Sequence, residues 1–251
     1  MKSEKLMKPK YILSFLLFIL SFSTAIYSQN NPNDILNRAV REQNAGKDVD
    51  AINSFTNYIN LVQTNSEAYY KRALSYHKLN MLKAAESDLL KAIELNDKLS
   101  MAYNILGLIS QNSGDTVKAL DYFTQAIQID PGFAEAFNNR GYLYGRLGKY
   151  NLALMDLNKA IELEQKVPGY YYNRGFLHVQ TDDFKNALND FTAAINLNPD
   201  YALAFLSRGM VHYQVGNYSD CIYDMNLAKK LNPSYSVEAD KFIRAARGYL
   251  E

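Results

Sequence analysis

One cysteine in 251 residues, Cys221, leaves no partner for an internal disulfide. The three histidines, His77, His178 and His212, form no His-Glu-x-x-His and offer few ligands in the spacings that zinc sites use. No glycine-rich loop of the kind that cradles phosphates is present. Charge is balanced, with 27 lysines and arginines against 26 aspartates and glutamates, formal net charge +1, and no basic run. A nucleic-acid binder needs a positive footprint and an anionic-lipid binder a polybasic patch, so the chain is a poor candidate for either. These absences point away from an enzyme, a metal site or a cofactor site.

What the chain does have is a period of 34 residues. One column is small throughout: Ala39, Ala73, Gly107, Gly141, Gly175 and Gly209. Twelve residues on stands a second small column, Ala51, Ala85, Ala119, Ala153, Ala187 and Cys221. Four further on comes a bulky apolar one, Phe55, Leu89, Phe123, Leu157, Phe191 and Met225. Six copies without insertions mean an array of like units, with function on a surface.

Each unit reads as two helices. Between Ala134 and Pro168, the apolar spacing of Phe137, Gly141 and Tyr144 is followed by Gly148-Lys149-Tyr150. A second amphipathic run follows through Ala153, Leu154, Leu157, Ala160 and Ile161. The break is held by Gly46, Gly114, Gly148 and Gly216, or by Asn80 and Asp182, residue types that tolerate a left-handed helix cap. Pro131, Pro199 and Pro233 recur after the second helix, where a residue without an N–H ends it. Small columns let two helices approach to about 8–10 Å.

These columns, with the leading aromatics Tyr69, Tyr103, Phe137, Tyr171 and Phe205, resemble the tetratricopeptide repeat over roughly residues 32–235. The segments Tyr171-Tyr172-Asn173-Arg174-Gly175 and Asp190-Phe191-Thr192-Ala193-Ala194-Ile195-Asn196-Leu197-Asn198-Pro199 carry the likeness best. The resemblance implies an all-α fold, a right-handed α-solenoid of helix-turn-helix repeats. The expected repeats span about 32–65, 66–99, 100–133, 134–167, 168–201 and 202–235, with a capping helix over 236–251. On that last helix Phe242, Ala245, Ala246 and Tyr249 form the predicted apolar face. The first copy is atypical: Glu42 replaces the second aromatic and no proline closes it.

Comparing the repeats with one another predicts an ion pair. Arg72, Arg140, Arg174 and Arg208 stand just before the small column, and Asp88, Asp156, Asp190 and Asp224 stand sixteen residues later. The third repeat has lost both, as Leu106 and Tyr122, while the first keeps Arg38 opposite Ser54. Joint loss implies that the two residues meet within one repeat. His178 and His212 replace tyrosine in the second aromatic column of successive repeats. They fall on the order of 10 Å apart, too far to share one zinc without distorting the stack. Cys221 reads as a small buried residue in an alanine column.

Residues 1–28 have the layout of a secretory signal peptide. Lys2, Lys5, Lys8 and Lys10 precede an apolar run from Tyr11 to Leu20, and small residues follow at Ser23-Thr24-Ala25 and Ser28. The mature solenoid would then span 29–251, slightly acidic once four lysines and Glu4 are removed, and outside the cytoplasm, periplasmic or secreted. An uncleaved membrane anchor over 11–27 is the alternative, on a run short of the ~20 residues a span needs.

In this family the first helices line a concave groove, which the resemblance builds here from Tyr70, Asn104, Asn138, Tyr142, Tyr172, Phe176 and Met210. Such a surface is aromatic, amide-bearing and almost uncharged, and suits a peptide segment or partner protein. Asn139 and Asn173 match the central asparagine of the family's carboxylate clamp, but its cations are missing, so a C-terminal carboxylate is not the expected ligand. The expectation is a non-catalytic interaction scaffold of the cell envelope that needs no cofactor or metal. The alternatives are a glycan-binding groove and a self-assembling structural subunit.

Overall fold

A computed structural model describes residues 31–251, so the expected signal segment lies outside the described residues. Among the described residues there are thirteen α-helices and no strand. Six antiparallel pairs follow in order: α1 (Pro32–Asn44) with α2 (Asp48–Leu61), α3 (Ser66–Lys78) with α4 (Leu82–Leu95), and α5 (Ser100–Asn112) with α6 (Thr116–Ile129). Then come α7 (Ala134–Arg146) with α8 (Tyr150–Leu163), α9 (Pro168–Gln180) with α10 (Phe184–Leu197), and α11 (Ala202–Gln214) with α12 (Tyr218–Leu231). A 3-10 turn, Pro233–Tyr235, leads into α13 (Ser236–Arg247). The chain divides into two compact units, one up to Ala102 and one from Tyr103.

The left-handed backbone falls where the sequence placed it. Gly148 has φ 70°, and Asn80 and Asp182, which fill the same slot, both have φ 58°. At that turn Lys149 N–H reaches back to Tyr144 C=O at 2.9 Å, which closes the end of α7. Some helix starts are capped by side chains that accept orphan N–H groups, such as Asn65 from Ala68 N and Asp115 from Lys118 N, while others, Lys149 before α8 among them, carry no side-chain cap.

Within each unit the helices pack consecutively. In the first, α1 packs on α2, α2 on α3 and α3 on α4. In the second, α6 packs on α7, and the contacts run on pairwise to α13. The second small column has no exposed surface at all, 0 % from Ala51 to Cys221, and beneath it Phe55, Leu89, Phe123, Phe191 and Met225 are equally enclosed. A Cβ on Gly107 would sit 2.5 Å from the Phe123 ring, and one on Gly141 3.0 Å from Asp156 Cβ. Nothing larger than the methyl of Ala39 and Ala73 stands at this contact, which lets the helices approach closely. Cys221 lies in this layer, and burial, helped by Asp224, pushes its thiol up to about 11, so it stays protonated and inert.

All four predicted ion pairs form within one repeat. Arg72 grips Asp88 with Nε and Nη2 at 2.7 and 2.8 Å, and Arg140–Asp156, Arg174–Asp190 and Arg208–Asp224 repeat the fork at 2.7–2.9 Å. The exceptions are also resolved. Arg38 donates to the Ser54 hydroxyl at 3.2 Å, and Leu106 is buried. A second bond was not foreseen: the remaining Nη1 donates to the second helix of the preceding repeat. Thr56, Thr124, Asn158 and Thr192 accept it from Arg72, Arg140, Arg174 and Arg208. One guanidinium thereby joins three helices.

The last helix, α13, packs on α12 with a face rotated from the one predicted. Ala239, Ile243 and Ala246 are buried, Phe242 is half-buried and Ala245 is exposed. The small–large–small stripe fits against Cys221, Met225 and Ala228, a fit that apolarity alone does not reveal. Tyr249 lies beyond the helix end and stacks on Tyr218, centroids 4.5 Å apart and planes at 5°.

Replacing Arg174 by leucine strands a carboxylate that is only 5 % exposed. We expect a loss of about 3–5 kcal/mol in denaturant unfolding. Arg174→Leu combined with Asp190→Tyr, the natural arrangement of Leu106 and Tyr122, should recover much of that loss. Additive losses would mean that the pair contributes no coupling.

Candidate functional site

In the second unit the first helices α7, α9 and α11 lie side by side. A polar ladder runs across the first helices of this unit, each rung joining a residue to the one 35 positions later. Asn139 Nδ2 donates to Asn104 Oδ1 at 3.0 Å, and Asn173 Nδ2 to Asn138 Oδ1 at 2.8 Å. The hydroxyls of Tyr172 and Ser207 lie 3.3 Å apart. The free side of Asn104 donates to Glu135 Oε1, and Asn138 Nδ2 to Asn139 Oδ1. Buried amides must be paired, and these are paired with the next repeat.

The ladder changes the standing of two predicted contacts. Asn104 is 1 % exposed and borders none of the cavities described below. It is a support for Asn139, not a residue that faces a ligand. Asn138, 9 % exposed, borders a cavity, but its carbonyl oxygen is already taken by Asn173.

That cavity, about 450 Å³, is lined by Gln111, Asn138, Asn139, Tyr142, Tyr172, Asn173, Phe176, Tyr201 and Leu203, none of them charged. Three predicted aromatics, Tyr142, Tyr172 and Phe176, therefore share one hollow with four amide side chains. A second cavity of about 640 Å³ contains Met210 with Phe176, Tyr213 and Tyr218, and is walled on one side by Phe242 and Tyr249. Phe176, 41 % exposed, lines both. Tyr70 is half-buried on α3 of the first unit.

Tyr172 does two things. Its ring lies 5.6 Å from Phe191 and 5.4 Å from Tyr201, so it is packed between the cavity and the core. Burial pushes the Tyr172 and Tyr201 phenols up, which keeps both as neutral donors. Tyr201, Leu203 and Gln111 were not anticipated. Tyr201 belongs to an apolar column that precedes the first helices, with Leu99, Phe133 and Val167, and that column was a readable signal.

Two of the three histidines sit on the ion pairs. His178 Nε2 is 3.8 Å from Asp190, and His212 Nε2 is 4.0 Å from Asp224. Among the described residues no group of three or more histidines, cysteines or carboxylates could hold a metal ion. No helix among them is long and apolar enough to cross a membrane.

Models of the tetratricopeptide repeat match residues 66–99, 100–133, 134–166 and 168–201. No curated protein sequence matches the chain. Among solved structures, the Cut9–Hcn1 hetero-tetramer of the APC/C is similar at TM-score 0.77 and 15 % identity over 92 % of this chain. This chain covers 45 % of that protein, less than half its length. PilF of Pseudomonas aeruginosa is similar at TM-score 0.73 and 15 % identity, over 84 % of this chain and 96 % of its own. YrrB, described as a TPR protein with an unusual peptide-binding site, is similar at TM-score 0.57 and 23 % identity, over 74 % of this chain and 97 % of its own. At these identities the likeness is one of fold.

Tyr172→Ala should destabilise the protein by about 1.5–3 kcal/mol in equilibrium unfolding, because the ring is packed and not merely displayed. A change within ~0.5 kcal/mol would return the ring to the open groove. Burial lowers His212 from 6.5, with Arg208 adding to the effect and Asp224 and Asp220 opposing it. The folded ring resists protonation that the unfolded ring accepts. Its contribution is therefore intact above about pH 6.5 and is lost as pH falls through the depressed value. His212→Tyr, which copies Tyr76 and Tyr144, should flatten the fall in stability between about pH 7 and pH 5.

Proposed function

This chain belongs to the tetratricopeptide-repeat family, and from that premise we propose that it is a non-catalytic scaffold that holds a peptide segment of a partner protein. The uncharged cavity lined from α5, α7, α9 and α11 carries the reading. It combines the half-buried Tyr142, the exposed Phe176 and the amides of Asn139 and Asn173 without a charged group. Exposed rings give a peptide apolar contact area, and half-exposed amides pair with its backbone. With no cation in the lining, the segment is read along its length and not through a terminal carboxylate. The cap α13, which buries Ala239, Ile243 and Ala246 on the last repeat, works against end-to-end assembly at that end.

The signal-like residues 1–28 support a place outside the cytoplasm, in the cell envelope. The mature chain would begin near Ile26 or Gln29, and N-terminal sequencing of the native protein tests this. Met1 retained on a membrane-bound form would establish an anchor instead.

Phe176→Ala combined with Tyr142→Ala should leave unfolding within about 1 kcal/mol of the parent. The same pair should weaken partner capture from envelope extracts by about 2 kcal/mol or more. Affinity should vary little with salt, since no charged side chain lines the cavity. Undiminished capture by the double variant would remove the groove from the partner interface.

A further inference from the structure

We infer that Gly145 selects what the groove accepts: by carrying no side chain, it opens a slot for one bulky apolar side chain of the bound peptide. The inference rests on the peptide-groove reading above and deepens it. Gly145 lies in the last turn of α7 and borders a cavity of about 290 Å³. That cavity shares Tyr142, Asn173 and Phe176 with the uncharged one, so a segment lying along the groove runs beside it.

The fold does not ask for glycine here. The left-handed turn belongs to Gly148, further along the chain. A Cβ on Gly145 would stand 3.4 Å from Leu177 Cδ1 and 3.8 Å from Ala153 Cβ, which are ordinary contact distances. At Gly141, by contrast, it would crowd Asp156 and Leu157 at 3.0 Å. Alanine would also lose less chain entropy on folding. Every other repeat places a side chain at this position: Gln43, His77, Gln111, Val179 and Tyr213. In the first repeat the Gln43 amide extends to Lys71 C=O at 2.6 Å and Ser75 Oγ at 2.9 Å, on the next first helix. The counterparts of Lys71 and Ser75 across from Gly145 are Asn173 and Leu177, and both line the slot. The slot is the space that Gln43 fills with its own side chain.

The walls narrow the occupant. Tyr150, Leu157 and Leu177 join Tyr142 and Phe176 around the slot, so a guest meets mainly rings and aliphatic groups. Arg146 is the one charged residue among the lining groups, and it is exposed, able to keep its guanidinium in water. An acidic guest gains little from a cation that stays solvated. A leucine, methionine or aromatic side chain gains by leaving water for these walls, and it fills the void that the glycine leaves.

The test begins with binders selected from a random library of roughly twelve-residue peptides on the purified protein. Those whose binding is lost with Tyr142→Ala and Phe176→Ala are kept. Gly145→Ala should unfold at a denaturant concentration no lower than the parent's, since its methyl crowds nothing. A lower midpoint would show that packing, and not a ligand, accounts for the glycine. Gly145→Gln, which copies Gln43, should bind the kept peptides at least about tenfold more weakly, and Gly145→Met should do the same without an amide to satisfy. Replacing each peptide residue by alanine should find one apolar position whose loss weakens binding to the parent by a similar factor and adds little in Gly145→Met. Undiminished binding to both filled variants, the lack of a coupled position, or a coupled position that is aspartate or glutamate would overturn the slot while leaving the groove intact. A library without any groove-dependent binder would overturn both readings.

Discussion

The two helices of a repeat meet at a column that holds only glycine or alanine, and the rest of the structure depends on that contact. A Cβ on Gly175 would come within 3.0 Å of the Phe191 ring and 3.1 Å of Asp190 Cβ. At this approach the bulky column is held under the first helix, fully enclosed. The residues one step before each column are brought together by the same geometry. Arg174 precedes Gly175, Asp190 precedes Phe191, and the two form a fork at 2.7–2.8 Å. The apolar layer and the ion pair are two results of one close approach.

The guanidinium extends that order beyond its own repeat. Through Nη1 it holds the second helix of the preceding unit, at 3.0 Å in the case of Arg208 and Thr192. A buried pair of this kind sets register more than it adds stability. The third repeat shows that the fold tolerates its replacement: Leu106 is buried, and Tyr122 lies 6.4 Å from the Tyr103 ring. Periodic architecture permits such exchanges because each unit needs to satisfy only its neighbours.

The groove follows a different logic. Its aromatic and amide residues have similar types along the ladder, yet their surroundings divide them. Asn104 is enclosed, whereas Asn139 and Asn173, one residue later in their repeats, are half-exposed at the cavity. Tyr172 shares its ring between core and cavity, while Phe176 projects from both neighbouring cavities' walls.

The sequence by itself determined the six helix pairs, the left-handed caps at Gly148, Asn80 and Asp182, and the Arg–Asp pairs. Each of these answers a requirement that recurs every 34 residues, so the columns display it six times over. The tertiary structure alone decided that Asn104 is support, that Ile243 and not Ala245 faces the last repeat, and that Gln111 carries an unpaired oxygen. These depend on the offset between neighbouring units, seen in rungs that join residues 35 apart across a period of 34. Columns record residue types within a repeat. The tilt and translation that bring one repeat against the next are fixed only when the helices pack.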